Sequence, residues 1–331
     1  MTEVAESPGT LHVPARDVPV PTSVTPEAQQ VLAMGIITPA IEWPTLDDAE
    51  AWRSLVRNQD EIVGSILQGA LDGEDVEVAE SAVDGVPVFE ARARDTDPAS
   101  ERIYLDVHGG AWAFQGGSVC RYLAMAVARS VDVPVVAVDY RQPPDHPFPA
   151  AVEDALAVYR ALLKDRGPGK IAVGGTSAGG NIAAATILKA REEGLPLPAA
   201  LVLNTPATDL SGSGDTWRTN AGLDNILTGT EQTTMLLYAG GRDLSDPLVS
   251  PLFGDFSKGF PATILTTGTR DLLLSDTVRM HRALRAAGIE AELHVWEAAA
   301  HGLFLNMAPE DAERAREVQR FLDDHWSERR T

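Results

Sequence analysis

Apolar and polar residues change their period along this chain. From Val76 they alternate at every second position, through Val76-Glu-Val-Ala and again through Gly85-Val-Pro-Val-Phe-Glu-Ala-Arg-Ala-Arg94, which predicts an antiparallel hairpin closed near Asp84-Gly85. Beyond it, short apolar runs alternate with stretches of helical period. The runs predict strands over 103–107, 134–138, 171–173, 200–204, 262–266 and 291–296, and the stretches predict helices over 118–129, 149–164, 178–193, 275–287 and 309–326. That order predicts the α/β class, with a mostly parallel central sheet covered by helices on both faces. Ligands of such folds bind outside the carboxyl ends of the strands.

Two regions break the pattern. Residues 1 to about 26 carry Pro8, Pro14, Pro19, Pro21 and Pro26 with few large apolar side chains, a composition that suits an extended arm. Helical patterns follow over 27–34 and 46–71, the second opened by Thr45 with Asp47 and Asp48 in its first turn. They suit a lid and sheet-edge packing equally. Between Thr205 and Pro251 the alternation lapses: Ser211-Gly-Ser-Gly214 reads as a loop, 231–238 as a helix and Gly240-Gly241 as a break. This insertion, at about 208–245, is a second candidate lid.

Composition narrows the function classes. The formal charge of −21 over 331 residues disfavours phosphate backbones and anionic membranes, so no nucleic-acid partner is expected. No apolar run reaches the ~18 residues a membrane span needs. The acidic start Met1-Thr-Glu-Val-Ala-Glu-Ser7 is unlike a secretory signal, which makes a cytoplasmic setting the expectation. Cys120 is the single cysteine, so no internal disulfide and no multi-cysteine zinc site is expected; it reads as a small core residue.

The chemistry gathers around Lys170-Ile-Ala-Val-Gly-Gly-Thr-Ser-Ala-Gly-Gly180, a strand running through Gly175-x-Ser177-x-Gly179 into a helix. A serine held in a tight strand-to-helix turn leaves no room for a β-carbon two residues to either side. A glycine-rich turn can also cradle phosphate, but neither the dinucleotide fingerprint nor the Gly-Lys-Ser/Thr phosphate loop is present. A serine nucleophile needs a base and oxyanion donors. His108-Gly109-Gly110-Ala111-Trp112, after strand 103–107, offers Gly110 and Ala111 as donors beside the N–H of Ala178, with Gly109 shaping the turn. Asp271 in Gly268-Thr-Arg-Asp271 ends a late strand, and is preferred as the acid to Asp276, which lies inside the next helix. His301 and His108 are the histidines at strand ends. His301 is the base, and His108 is read as an anchor of its loop, giving the order Ser177, Asp271, His301. Trp112, Phe114, Trp217 and Leu223 are candidate pocket walls, although such side chains are more often core.

With these motifs in order, the chain resembles the hormone-sensitive-lipase family of bacterial esterases, of the α/β-hydrolase fold, over roughly residues 80 to 326. The likeness also rests on Asp139-Tyr-Arg-Gln-Pro-Pro-Asp-His-Pro-Phe-Pro-Ala150 with Glu153-Asp154, on Asp209-Leu210, on Asp246-Pro-Leu-Val-Ser-Pro251 and on His301-Gly302. Thr176 before the serine resembles the branch of the family with threonine there. The resemblance implies a carboxylesterase acting on short to medium acyl esters, without cofactor or metal, often a homodimer. It further implies a lid from the N-terminal helices and the insertion, hence a division into 1–75 and a catalytic domain over 76–331. Two positions depart from the usual pattern: Ala111 replaces a third glycine, and Gln142-Pro-Pro-Asp145 replaces Leu-Ala-Pro-Glu. The stretch from Gly268 to Asp276 also resembles lactone hydrolases. A ligand-binding protein on the same fold is the alternative from another class.

Overall fold

A computed structural model describes residues 13–71 and 75–326, with Gly9, Leu11 and Gly73 besides. Much of the proposed arm (1–8, 10 and 12, His12 among them) lies outside the described residues; residues 13–19 are exposed and carry no regular element. Helix α1 (Pro26–Ala33) starts at Thr25, whose hydroxyl accepts the Ala28 N–H. Helix α2 (Ala49–Leu71) begins later than the expected residue 46. The reason is local: residues 45–48 close a turn, and the Asp48 carboxylate accepts the Ala51 N–H at 3.0 Å as the cap.

The sheet follows in chain order as β1 (Val76–Val83), β2 (Val86–Ala93), β3 (Ile103–Val107), β4 (Val135–Val138), β5 (Ile171–Thr176), β6 (Ala200–Asn204), β7 (Ala262–Gly268) and β8 (Ala291–Trp296). Its spatial order is β1-β2-β4-β3-β5-β6-β7-β8. The β1–β2 hairpin turns at Asp84 (φ 48°) and Gly85 (φ 85°), the two positive angles that match the twist of the flanking strands. β2 pairs antiparallel with β4, and every later pairing is parallel.

Parallel strands need crossovers, supplied by α3 (Ser118–Ser130), α4 (Ala150–Asp165), α5 (Ala178–Glu192), α6 (Thr216–Thr219), α7 (Gln232–Ala239) and α8 (Leu274–Ala286); α9 (Pro309–His325) follows the last strand. On one face, Cys120, Ala124 and Ala128 of α3 and Val318, Phe321 and Leu322 of α9 pack against Tyr104, Val135, Ala172 and Val202. On the other, α4, α5 and α8 cover Leu105, Val173, Leu203 and Leu265. β3 and β4 are buried along their whole length, which explains the unbroken apolar run of β4 and that of β3, interrupted only by the buried Asp106. Chain direction across the sheet reverses at β3, whose neighbours are β4 and β5. The cleft at that reversal is where the loop after β3 and the turn after β5 meet.

The N-terminal elements lie over the carboxyl rim. α1 packs against Ala298, Ala299, Leu303 and Phe304 of the loop after β8, and Thr25 holds it there by donating its N–H and hydroxyl to Glu310 of α9 at 2.9 and 2.8 Å. Trp52 of α2 is fully buried with Ala113, Phe114 and Leu237, joining α2, the loop after β3 and α7.

Candidate active site

Ser177 sits between β5 and α5 with φ 59° and ψ −121°, a conformation L-residues rarely adopt. Its flanking glycines have a measurable cause. A β-carbon at Gly175 would stand 2.4 Å from the Gly179 carbonyl, and one at Gly179 would stand 2.0 Å from the Val107 oxygen. Strand end, elbow and helix start are therefore nested against one another. The half-buried Ser177 side chain lies beside Gly109, whose added β-carbon would be 3.5 Å from the serine Cβ. Among the described residues the Ser177 hydroxyl forms no hydrogen bond, so the structure links Asp271 to His301 but does not close the serine–imidazole contact.

The loop after β3 carries positive φ at Gly110 (92°), Ala111 (48°), Trp112 (63°) and Gln115 (74°). Several groups hold this strained backbone. Asp60 of α2 accepts the Gln115 N–H at 2.7 Å, Asp139 accepts the Gly117 N–H at 2.9 Å, and the Gln142 amide donates to the Phe114 carbonyl at 2.7 Å. The N–H groups of Gly110 and Ala111 donate to nothing among the described residues. Burial pushes Asp60 up to about 6, against the pull of its two backbone donors, Gln115 and Gly116.

His108 is buried, stacks on Tyr140 at 4.1 Å and bonds through Nδ1 to the Gly109 carbonyl at 2.9 Å. Burial pushes it down to about 4, which keeps the imidazole neutral. Ligand atoms of His108, Cys120 and Asp139 lie within 4.8 Å of one another. With Asp139 already holding Gly117 and Cys120 enclosed in the core, this group braces the loop. Of the candidate walls, Trp112, Phe114 and Trp217 are buried core, Trp112 stacking on Tyr238 at 5.2 Å. Leu223 is half-buried.

Asp271 follows β7 and His301 follows β8. The His301 Nδ1–H donates to Asp271 Oδ1 at 3.1 Å, and Asp271 also accepts from the Thr267 hydroxyl at 2.7 Å and the Leu273 N–H at 2.9 Å. Gly268 lets the two loops touch, since a β-carbon there would stand 2.0 Å from the Ala299 oxygen. Burial alone would lower the His301 value. The Asp271 carboxylate, by charge and hydrogen bond, and then Asp224 and Glu231 outweigh it, so the imidazole titrates above its ordinary range. Asp276 faces elsewhere: it accepts the Asp209 N–H at 2.9 Å, and burial pushes it up to about 8.

Residues 104–305 match a protein family described as having the alpha/beta hydrolase fold. The chain belongs to that family. An acetyl-hydrolase of Streptomyces hygroscopicus is 35% identical to this hydrolase over 217 residues, 64% of this chain and 72% of the other. The carboxylesterase NlhH of Mycobacterium tuberculosis is 30% identical over 301 residues, 87% of this chain and 92% of that one. Among solved structures, one described as an esterase superposes with TM-score 0.88 at 35% identity, covering 96% of this chain and 99% of its own. An esterase from the bacterial hormone-sensitive lipase family superposes with TM-score 0.81 at 30% identity, covering 92% and 99%. Our hydrolase groups with the hormone-sensitive-lipase esterases of bacteria.

Asp224 and Asn220 escaped the sequence reading. Asp224 is fully buried and contacts both the loop that carries Asp271 and the loop that carries His301, and the Asn220 side-chain amide donates to the Asp271 carbonyl at 2.8 Å. Both sit in the irregular insertion, where no periodicity marks a side chain as inward.

Proposed function

We propose that this hydrolase cleaves carboxylic esters through Ser177, His301 and Asp271. The observation that carries the reading is the buried Asp271–His301 pair at the same rim as a serine on a strained elbow. His301 Nε2 takes the Ser177 proton as the hydroxyl oxygen attacks the ester carbonyl, while Asp271 holds the Nδ1–H tautomer and stabilises the imidazolium. Free N–H groups of Gly110, Ala111 and Ala178 are placed to receive the oxyanion, with Gly109 keeping the approach open; each donor is worth roughly 3 kcal/mol of barrier. The alcohol leaves with the proton from His301, and water, activated by the same base, releases the acid. The reading extends to the threonine-before-serine branch, to a lid made of α1, α2 and the insertion, to a homodimer and to a cytoplasmic setting. Light scattering and cell fractionation test the last two.

The test is Ser177→Ala assayed with p-nitrophenyl acetate and a fluorophosphonate probe. Turnover is expected to fall by ~10⁴-fold or more with folding intact, and labelling to vanish. Retained turnover refutes the assignment. Acyl esters of increasing length and a lactone, run in one panel, then decide between linear and cyclic substrates.

A further inference from the structure

The insertion does more than cover the rim. Its residue Asp224 turns inward and is fully buried. Oδ1 accepts the N–H groups of Ile226 at 2.9 Å and Leu227 at 3.1 Å, which close its own turn, and the N–H of His301 at 3.3 Å. Oδ2 accepts the N–H of Leu272, the residue after Asp271, at 2.8 Å. Asn220 adds a second tie by donating to the carbonyls of Thr269 at 3.2 Å and Asp271 at 2.8 Å. The neighbouring Asn225 carries the connection outward, its carbonyl accepting the Ile37 N–H at 2.9 Å.

We infer that Asp224 is a positioning residue for the proposed catalytic pair, one buried carboxylate that clamps the Asp271 loop to the His301 loop. The inference rests on the assignment of Ser177, Asp271 and His301 above. A clamp of this kind fixes the distance between acid and base through the backbone, which the single Nδ1–Oδ1 bond cannot do alone. Displacements of about 1 Å at such a pair cost on the order of a hundredfold in rate. Asp224 also brings charge. The charged groups that face His301 are Asp271 after β7, Asp224 in the insertion and Glu231 at the start of α7, all acidic. Glu231 is itself held by the N–H groups of Thr228 and Gly229. Removing the Asp224 charge therefore makes the imidazolium harder to form.

The experiment measures kcat, KM and the pH dependence of kcat/KM for p-nitrophenyl acetate in the parent enzyme, Asp224→Asn and Asp224→Glu, with Ser177→Ala as the check on the underlying assignment. Asp224→Asn is expected to lose about tenfold or more in kcat with little change in KM. Its acid limb should move to lower pH, since the Asp224 carboxylate helps to raise the His301 value. Asp224→Glu keeps the charge but not the clamp geometry, so its acid limb should stay in place while kcat falls. Where Asp224→Asn does not fold, that second variant decides alone. Parental kcat and acid limb in either variant, or a change in melting temperature only, overturns the positioning role. Parental turnover in Ser177→Ala overturns the site assignment instead, so the two failures are distinguishable.

Discussion

At position 179 a single methyl group decides whether the elbow can form. An alanine there would place its Cβ 2.0 Å from the Val107 oxygen and 2.4 Å from the His108 oxygen, both backbone atoms that cannot swing aside. Gly179→Ala is expected to cost about 1–3 kcal/mol of stability and to push the Ala178 N–H off its line, lowering kcat on the order of a hundredfold. Melting curves and turnover on the purified variant check both. The same steric demand made Gly175-x-Ser177-x-Gly179 readable before any coordinates. Asp271 stood out as a candidate too, because it lies just past the end of β7, whereas Asp224 was one of many acidic residues in an aperiodic loop. His301 titrates above its ordinary range, and only neutral imidazole accepts the serine proton. Activity should therefore rise with pH through a midpoint above the usual imidazole value, and a flat pH–rate profile would count against His301 as the base.

Among the elements, α2 is one of two, with α1, whose role the pattern of residues left open. It packs on α3 and reaches the loop after β3 twice, through Asp60 at Gln115 and through the buried Trp52 beside Ala113 and Phe114. Trp43 stacks on Trp52 at 5.8 Å from the outer side. Trp52→Ala is expected to cost on the order of 3–5 kcal/mol, felt first by α2 and the strained loop. Hydrogen exchange should rise in α2 and residues 111–115 while β3 and β5 keep their protection; uniform loss across the sheet would show instead that α2 is part of the core. Two strand ends ran further than periodicity implied. β5 continues to Thr176 and β7 to Gly268, through glycines whose weak strand preference hid those ends from the pattern. A β-carbon at Gly174 would lie 1.8 Å from the Tyr104 hydroxyl.

For the whole molecule, the buried carboxylates set a pH dependence. Burial pushes Asp106 up to about 7 and Asp276 up to about 8, far above their values in an unfolded chain. Groups with raised values favour the fold most at low pH, and that contribution is lost as pH rises through the folded values. His108, pushed down to about 4, acts oppositely, weakening the fold as pH falls from about 6.5 toward 4. The melting temperature should therefore be higher near pH 6 than at pH 9. Asp276→Asn should remove part of the fall, since the amide keeps an acceptor for the Asp209 N–H without the buried charge. A parent enzyme that melts no lower at pH 9 than at pH 6 would contradict this account. The net charge of −21 adds self-repulsion at high pH, which salt screens and the buried groups do not feel, so melts at two salt concentrations separate the contributions.

What the sequence determined by itself is whatever short-range sterics and period dictate: the hairpin at Asp84-Gly85, the alternation of strand and helix, the glycine-flanked serine, and the strand-end places of Asp271 and His301. What only the tertiary structure decided is which groups meet across long separations. Chief among these are Asp224 between the loops at 272 and 301, Asp60 against Gln115, and Thr25 on Glu310. Each of those contacts has an irregular segment on at least one side, where burial comes from packing and no local pattern points a side chain inward.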